Sequence, residues 1–305
     1  MRSALPVVPD VDIVLVHFHS DRALLARCLT SIDRAATAAG LRVHLVIVDN
    51  GGTVPVELVP SSIHCRVVDA GGNVGFGRAV NRGVREATAR WVLVLNPDAA
   101  LADDALAGFV SAGEQHRTAL MVGLMSRAGE VEIDAYVDWD FSVERLRKRA
   151  RWALDPAASG PVPVEKVSGG ALFADTALLR LLGPFDERFF MYCEDADLSR
   201  RAHAAGIPTL LVPTARIEHA RSASEASFHP VVEAARADGA IRVTTLHRAR
   251  RVALLQRAEL LAVTLLGLVP GRLDRAGRTA RRARLRSVAR WGLRRDVERF
   301  APDPG

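Results

Sequence analysis

Apolar and β-branched residues run without a break through VDIVLVHFH (11 to 19), and then the period changes. Leu24, Leu25, Cys28, Leu29 and Ile32 recur at helical spacing until Gly40, after which VHLVIVD (43 to 49) is apolar again. The order strand, helix, strand repeats with CRVVDA (65 to 70), a helix from about Gly75 to Ala89, and WVLVLN (91 to 96). This alternation predicts an α/β fold, a mostly parallel central sheet covered by right-handed helical crossovers. Ligands of such a sheet gather at the carboxyl ends of its strands. There the sequence places His17 and His19, Asp49 and Asn50, Asn73, and Asn96 and Asp98. As i and i+2 on a strand, His17 and His19 should face one side, and Ser20 should cap the helix that follows. Farther along, GPFDERFFMYCEDADLSRRAHAAG (183 to 206) predicts a helix ending at Gly206. LLVPTARIEHARSAS (210 to 224) reads as a strand that displays His219.

With 305 residues and 49% hydrophobic content, the chain can build one large α/β domain or two smaller ones, which sets it apart from disordered chains. Three widely spaced cysteines without a CxxC pair argue against a disulfide framework or a zinc knuckle and fit a reducing, cytoplasmic setting. The first residues lack the apolar core of a secretory signal. Charge is uneven: residues 242 to 305 hold 16 Arg against 5 acidic residues, net +11, which leaves −5 for the rest of the total of +6. A basic tail attracts an anionic surface, whether membrane or nucleic acid, unless it is only a solvated face. The run LLAVTLLGLV (260 to 269) has about half of the ~20 residues needed to cross a bilayer. It is expected to lie at the inner membrane surface with arginines on lipid phosphates. With only Trp291 and Phe300 for stacking and no recognition motif, nucleic acid is not expected as a partner. The expected division is a catalytic domain over 1–228 and an Arg-rich helical extension over 229–305.

Candidate chemistry narrows the class. HFHSDR has no glycine after the first strand, which disfavours NAD or FAD. In GGNVGFGRAVNRG (71 to 83), Gly75 and Gly77 permit close backbone approach to a ligand, with Arg78 and Asn81 on the following helix. In LNPDAAL, Asp98 offers the hard oxygen a divalent cation on a diphosphate requires; the alternative is that Asn96 and Asp98 only make turn hydrogen bonds or cap a helix near Asp103. Glu194, Asp195 and Asp197 share one helical turn beside the aromatics Phe189, Phe190 and Tyr192. Acids there suit the helix dipole or a carboxylate base for a hydroxyl. Arg200 and Arg201 are expected to be solvated.

The ordered set VIVDN, GGNVGFGRAVNRG, VLVLNPD, SGGALF, GPFDERFFMYCEDADLSRRAHAAG and IEHARSAS resembles the rhamnosyltransferase-type branch of the family 2 glycosyltransferases. Within it the likeness is to bacterial enzymes that add L-rhamnose to polyprenyl-diphosphate-linked N-acetylglucosamine in cell-wall synthesis. The resemblance implies a GT-A fold, a nucleotide-sugar donor (dTDP- or UDP-linked), a divalent metal (Mn²⁺ or Mg²⁺) and inversion in one displacement. By the same resemblance, Asp49 contacts the base or ribose, and Asn73, Arg78 and Asn81 border the diphosphate. Asp98 binds the metal, joined by His219. Asp195 is the general base, Glu194 orients it or the acceptor, and Ser168, Gly169 and Gly170, with Tyr192, lie on the acceptor side. Such a displacement needs a base on one face and charge neutralisation on the other, but no enzyme nucleophile.

The chain departs from the pattern at His17, Phe18, His19 and Ser20, where members usually read threonine or serine, tyrosine, asparagine and serine, and VDNGG lacks the usual following aspartate. His17 and His19 then become donors or stacking partners near the base. Other readings stay open: a different donor sugar or a natural-product or glycan acceptor, a nucleotidyltransferase, or a non-catalytic protein that binds anionic lipid or nucleic acid.

Overall fold

The apolar run at residue 11 forms β1 (Val11–His17), all seven of whose residues are buried. The elements follow as α1 (Arg22–Ala39), β2 (Val43–Asp49), β3 (His64–Asp69), α2 (Phe76–Glu86), β4 (Trp91–Leu95), β5 (Ala99–Leu101), α3 (Ala105–Gln115), β6 (Leu120–Arg127) and β7 (Glu130–Val131). The chain continues through α4 (Ser142–Arg151), β8 (Val162–Pro163), β9 (Ala171–Asp175), α5 (Thr176–Leu182), α6 (Glu194–Ala204) and β10 (Thr209–His219), and through α7 (Pro230–His247), α8 (Arg250–Leu266) and α9 (Arg275–Trp291). The computed structural model describes residues 8–155, 158, 160–220, 230–268 and 275–291. The expected domain boundary at 228/229, residues 221–224 of the last motif and the arginines beyond Trp291 lie outside them.

One sheet has the order β3-β2-β1-β4-β9-β6-β10-β5, with β7 on β6 and β8 on β10. The pairs β3/β2, β2/β1, β1/β4 and β6/β10 are parallel, and β9 runs antiparallel between β4 and β6. Strands buried on both faces read as continuous apolar runs, and the helices cover them here: α2 packs on β1 and β2, and α3 on β6 and β10. Register sets the site. His17, Asp49 and Asp69 are partners at one level of three parallel strands, and β4 ends just short of that level, at the partner of Leu15.

Two local expectations are corrected. Asp21, not Ser20, caps α1, accepting from the amides of Ala23 and Leu24. The strand ends at His17, and His19 takes a left-handed φ of 45°, so strand alternation does not govern the two histidines.

Arg200 and Arg201 are not solvated, a third correction. Arg200 is buried and holds Asp138 at 2.8 and 3.0 Å and Asp140 at 3.0 Å. Arg201 holds Asp197 at 2.8 Å and donates to the carbonyls of Leu182, Gly183 and Pro184. The same acids fasten the C-terminal helices to α6: His247 meets Asp197 at 2.7 Å, while Thr244 (2.8 Å) and Arg248 (2.6 Å) meet Asp140. Farther out, Ala237, Ile241, Val288 and Trp291, with Leu260, form a small core of their own. No helix among the described residues is long and apolar enough to cross a membrane.

Candidate functional site

At the β1/β2 end, His17 is buried and its Nδ1 has no partner. Burial pushes its pKa down, against the opposing pull of Asp49, and His19 adds to the depression. A Cβ at Gly52 would sit 3.5 Å from His17 Nε2 and 3.7 Å from His19 Nδ1, so both rings gather at the Gly51–Gly52 loop. Asp49 takes the Gly51 amide at 3.0 Å. Asn50 and Asn73 interlock: Asn50 donates to Asn73 Oδ1 (3.1 Å), which also takes the Gly75 amide (3.1 Å), while Asn50 Oδ1 takes the Val74 amide (2.9 Å). These bonds fix the turn that leads into α2.

The close approach at Gly75 is to protein. Its φ is 92°, and any Cβ there would overlap the Phe190 carbonyl, which accepts from the Phe76 amide at 2.8 Å. Arg78 and Asn81 serve the same seam. Arg78 donates to the Glu187 carbonyl and, at 3.4 Å, to that of Val74. Asn81 exchanges two bonds with the Phe185 backbone, at 2.8 and 3.0 Å. The loop before α6 is thereby held on the N-terminal turn of α2.

Asp98 and His219 are brought together by sheet register. β5 runs antiparallel to β10 with His219 opposite Ala99, and His219 Nε2 lies 3.0 Å from Asp98 Oδ1. The other ring nitrogen is 3.0 Å from Glu132, which is bridged to Arg127 at 2.6 Å. Burial alone would lower the His219 pKa, but hydrogen bonds to Asp98 and Glu132 and their charges carry it to about 9. A cation binding at Nε2 must displace any proton there. The donor set fits a hard divalent ion. Asp98 Oδ1 and His219 Nε2, 3.0 Å apart, are donor types such an ion takes, and Glu132 and the Arg127 guanidinium both approach Nδ1, at 3.0 and 3.1 Å. Among the described residues, no group of three or more His, Cys, Asp or Glu is arranged to hold a metal ion by itself. The remaining ligands would come from diphosphate or water.

Glu194 and Asp195 open α6 after two consecutive left-handed residues, Tyr192 (φ 70°) and Cys193 (φ 66°). That conformation is costly for residues with a Cβ. A Cβ at Gly239 of α7 would overlap the Tyr192 carbonyl, so the C-terminal helices back this turn. Lys166 is buried with its Nζ 3.5 Å from Asp195 and 5.3 Å from the Trp139 ring centroid. Ser199 sets that spacing, since it takes the Val167 amide (3.1 Å) and donates to the Asp195 carbonyl (2.7 Å). Burial opposes the Lys166 charge, yet Asp195 and nearby acids hold its pKa above the ordinary value.

Glu194 is buried with Oε2 unpartnered, and burial, then the charge of Asp195, lifts its pKa from 4.5 to about 8. Because the folded pKa is the higher one, Glu194 contributes stability that is complete below 4.5 and is lost as pH rises through about 8. Glu194→Gln, which keeps the neutral shape, should flatten the melting-temperature profile across that window. At its alkaline end the variant should gain on the order of a few kcal/mol over wild type. Parallel profiles for the two proteins would contradict the assignment.

In the segment expected on the acceptor side, Ser168 Oγ takes the Gly170 amide at 3.2 Å, and the Gly170 carbonyl takes the Asn96 amide at 3.0 Å. A Cβ at Gly170 would lie 3.1 Å from Asn96 Nδ2, and one at Gly169 would lie 3.4 Å from Phe185. Ser168, Gly169 and Gly170 therefore lie between the Asn96–Asp98 turn and the loop before α6. Glu132, Trp139 and Lys166 have no counterpart among the residues expected from sequence. For Lys166 a signal existed, since it is one of only two lysines in a chain otherwise basic through arginine.

The chain is similar to known glycosyltransferases in sequence and in fold. Residues 12–159 match the family model described as glycosyl transferase family 2. The N-acetylglucosaminyl-diphospho-decaprenol L-rhamnosyltransferase of Mycobacterium tuberculosis is 27% identical over 250 residues, covering 73% of this chain and 78% of that one. Among solved structures, GalNAc-T7 with UDP, GalNAc and Mn²⁺ superposes with a TM-score of 0.60 at 16% identity, over 78% of this chain and 48% of that one. The mannosyltransferase PcManGT from Pyrobaculum calidifontis, in complex with GDP-Man and Mn²⁺, gives 0.56 at 15% identity over 94% and 88%. At these identities the structural likeness concerns the fold.

Proposed function

We propose that this chain, a glycosyltransferase of GT-A fold with a family 2 region over residues 12–159, moves L-rhamnose from dTDP-L-rhamnose onto a glycosyl acceptor carried by a polyprenyl diphosphate. The reaction inverts the anomeric centre, depends on Mn²⁺ or Mg²⁺, and belongs to cell-wall or polysaccharide synthesis. The observation that carries the reading is the Asp98–His219 pair and the Lys166-backed Glu194–Asp195 pair standing in the same fold, with Ser168–Gly170 between their supporting segments. The sugar and the acceptor rest on likeness to the mycobacterial enzyme.

Asp98 and His219 would hold a divalent ion, which when bound would supply charge neutralisation on the diphosphate side. Asp195 takes the proton of the attacking acceptor hydroxyl. Glu194, neutral through burial, can donate to the acceptor or to Asp195 without adding a second negative charge. Lys166 holds Asp195 in place. Asn50, with Asp49, His17 and His19, borders the base and ribose, and Asn73, which Asn50 holds, joins Gly75, Arg78 and Asn81 beside the diphosphate. Ser168, Gly169, Gly170 and Tyr192 border the acceptor. Residues 1–228 form the catalytic part and 229–305 the extension, which keeps the protein on the cytoplasmic face of the membrane where a lipid-borne acceptor resides.

The His17–Phe18–His19 stretch favours a second reading, a different UDP- or dTDP-sugar donor, because it departs from the family pattern and its histidine rings gather at the Gly51–Gly52 loop beside Asp49. Turnover decides between them. With a polyprenyl-diphosphate N-acetylglucosamine analogue, dTDP-L-rhamnose should be consumed only when Mn²⁺ or Mg²⁺ is present. Consumption of UDP-sugars alone would transfer the assignment to the second reading.

A further inference from the structure

Helix α8 is amphipathic the wrong way round for a helix that serves a core. Its buried positions are Ala253, Gln256, Arg257 and Thr264, with Gln256 2% and Thr264 0% exposed. Leu255 and Leu266 are 62% and 63% exposed, and Leu261 and Leu265 are also open to solvent. The polar face is anchored: Arg257 donates to Thr245 of α7 at 3.0 Å and lies 5.5 Å from the Trp291 ring of α9, and Thr264 takes a bond from Arg284 of α9 at 3.2 Å. These bonds oblige the leucines to face outward. Leu255, Ala258, Leu261, Ala262, Leu265 and Leu266 recur at three- and four-residue steps and form one exposed stripe, headed by the exposed Arg251.

The neighbouring α9 adds charge. Residues 275–291 hold seven arginines and no acid, and Arg275, Arg282, Arg286 and Arg290 are exposed at spacings that put them on one face. An apolar stripe of this extent marks an interaction site, and leucines beside arginines match the acyl boundary and phosphates of a bilayer surface. A second copy fits less well, because paired stripes would bring like-charged arginine rows together.

We propose that α8, with the arginines of α9, docks the protein on an anionic phospholipid surface by inserting its leucine stripe at the headgroup boundary. The inference rests on the proposed lipid-borne acceptor. α7, which contacts both helices, also packs against the Tyr192–Cys193 turn before the acid pair, so the docked layer is the one that backs the acceptor side.

The test is co-sedimentation of the full chain with vesicles of phosphatidylcholine alone or mixed with phosphatidylglycerol. Wild type should pellet with the mixed vesicles and about tenfold less with the neutral ones. Leu261→Glu with Leu265→Glu, and separately Arg282→Gln with Arg286→Gln, should each lower pelleting on mixed vesicles about tenfold at unchanged melting temperature. Turnover on a water-soluble N-acetylglucosamine acceptor should be retained by both variants. Undiminished pelleting of the leucine variant would overturn the proposal. So would equal binding of wild type to both vesicles, or a wild-type dimer that the leucine variant converts to monomer. Intact, variant-sensitive pelleting without any sugar transfer would uphold the docking face and remove the proposed reaction instead.

Discussion

Asp195→Asn is expected to lower turnover by about 10² to 10⁴-fold, the range general-base catalysis supplies, with donor binding nearly unchanged. The substitution keeps the size of the side chain at the start of α6 and removes its capacity to take a proton. Glu194 cannot substitute, because burial keeps its own proton in place up to about pH 8. Lys166, 3.5 Å away, would then be buried beside a neutral amide, so a modest loss of thermal stability should accompany the loss of turnover. Single-turnover kinetics with saturating donor separate the two effects. Near-normal transfer by the Asn variant would remove Asp195 from the role.

Asp98→Ala should cost about 10²-fold or more in turnover and abolish the extra thermal stabilisation that Mn²⁺ gives in the presence of nucleoside diphosphate. The loss has two parts. The hard oxygen ligand disappears, and His219 loses one of the two carboxylates that hold it. Glu132→Gln provides the graded control: it leaves both metal ligands in place and removes the charge that holds His219 Nδ1 and pairs with Arg127. It should weaken Mn²⁺ affinity by about 10- to 100-fold, the usual cost of losing such a partner. Thermal shift against Mn²⁺ concentration reads all three proteins, and full metal-dependent turnover by Asp98→Ala would refute the metal assignment.

The parallel part of the sheet was legible because β1, β2 and β4 are covered on both faces and so read as unbroken apolar runs. The acids and histidines at the strand ends followed from that topology. The contact between Asp98 and His219 depends on the antiparallel β5/β10 ladder, which periodicity along the chain does not show. Glu132 was hidden for a local reason: it follows the β6/β7 hairpin, whose turn is Ala128–Gly129 with both φ positive. Asparagine or aspartate at the first position would have announced that turn.

Arg200 and Arg201 looked solvated because a helix rich in acids and arginines usually is. The partners of Arg200, Asp138 and Asp140, lie about 60 residues earlier in sequence, beyond the reach of periodicity, whereas Arg201 pairs with Asp197 one turn back on its own helix. The cap of α1 was misplaced by one residue for a simpler reason, since Ser20 and Asp21 are both good capping types. In the tail, charge and the apolar run were readable, but which face of α8 turns outward depended on bonds to α7 and α9.

The account turns on inversion by a metal-dependent site with Asp195 as its base. The direct measurement is the anomeric configuration of the product made from dTDP-L-rhamnose and a polyprenyl-diphosphate N-acetylglucosamine analogue with Mn²⁺, read by NMR. The account predicts a rhamnoside of configuration opposite to the donor, absent when Mn²⁺ is chelated and absent with Asp195→Asn. A product that retains the donor configuration, or transfer that persists without metal, would contradict it.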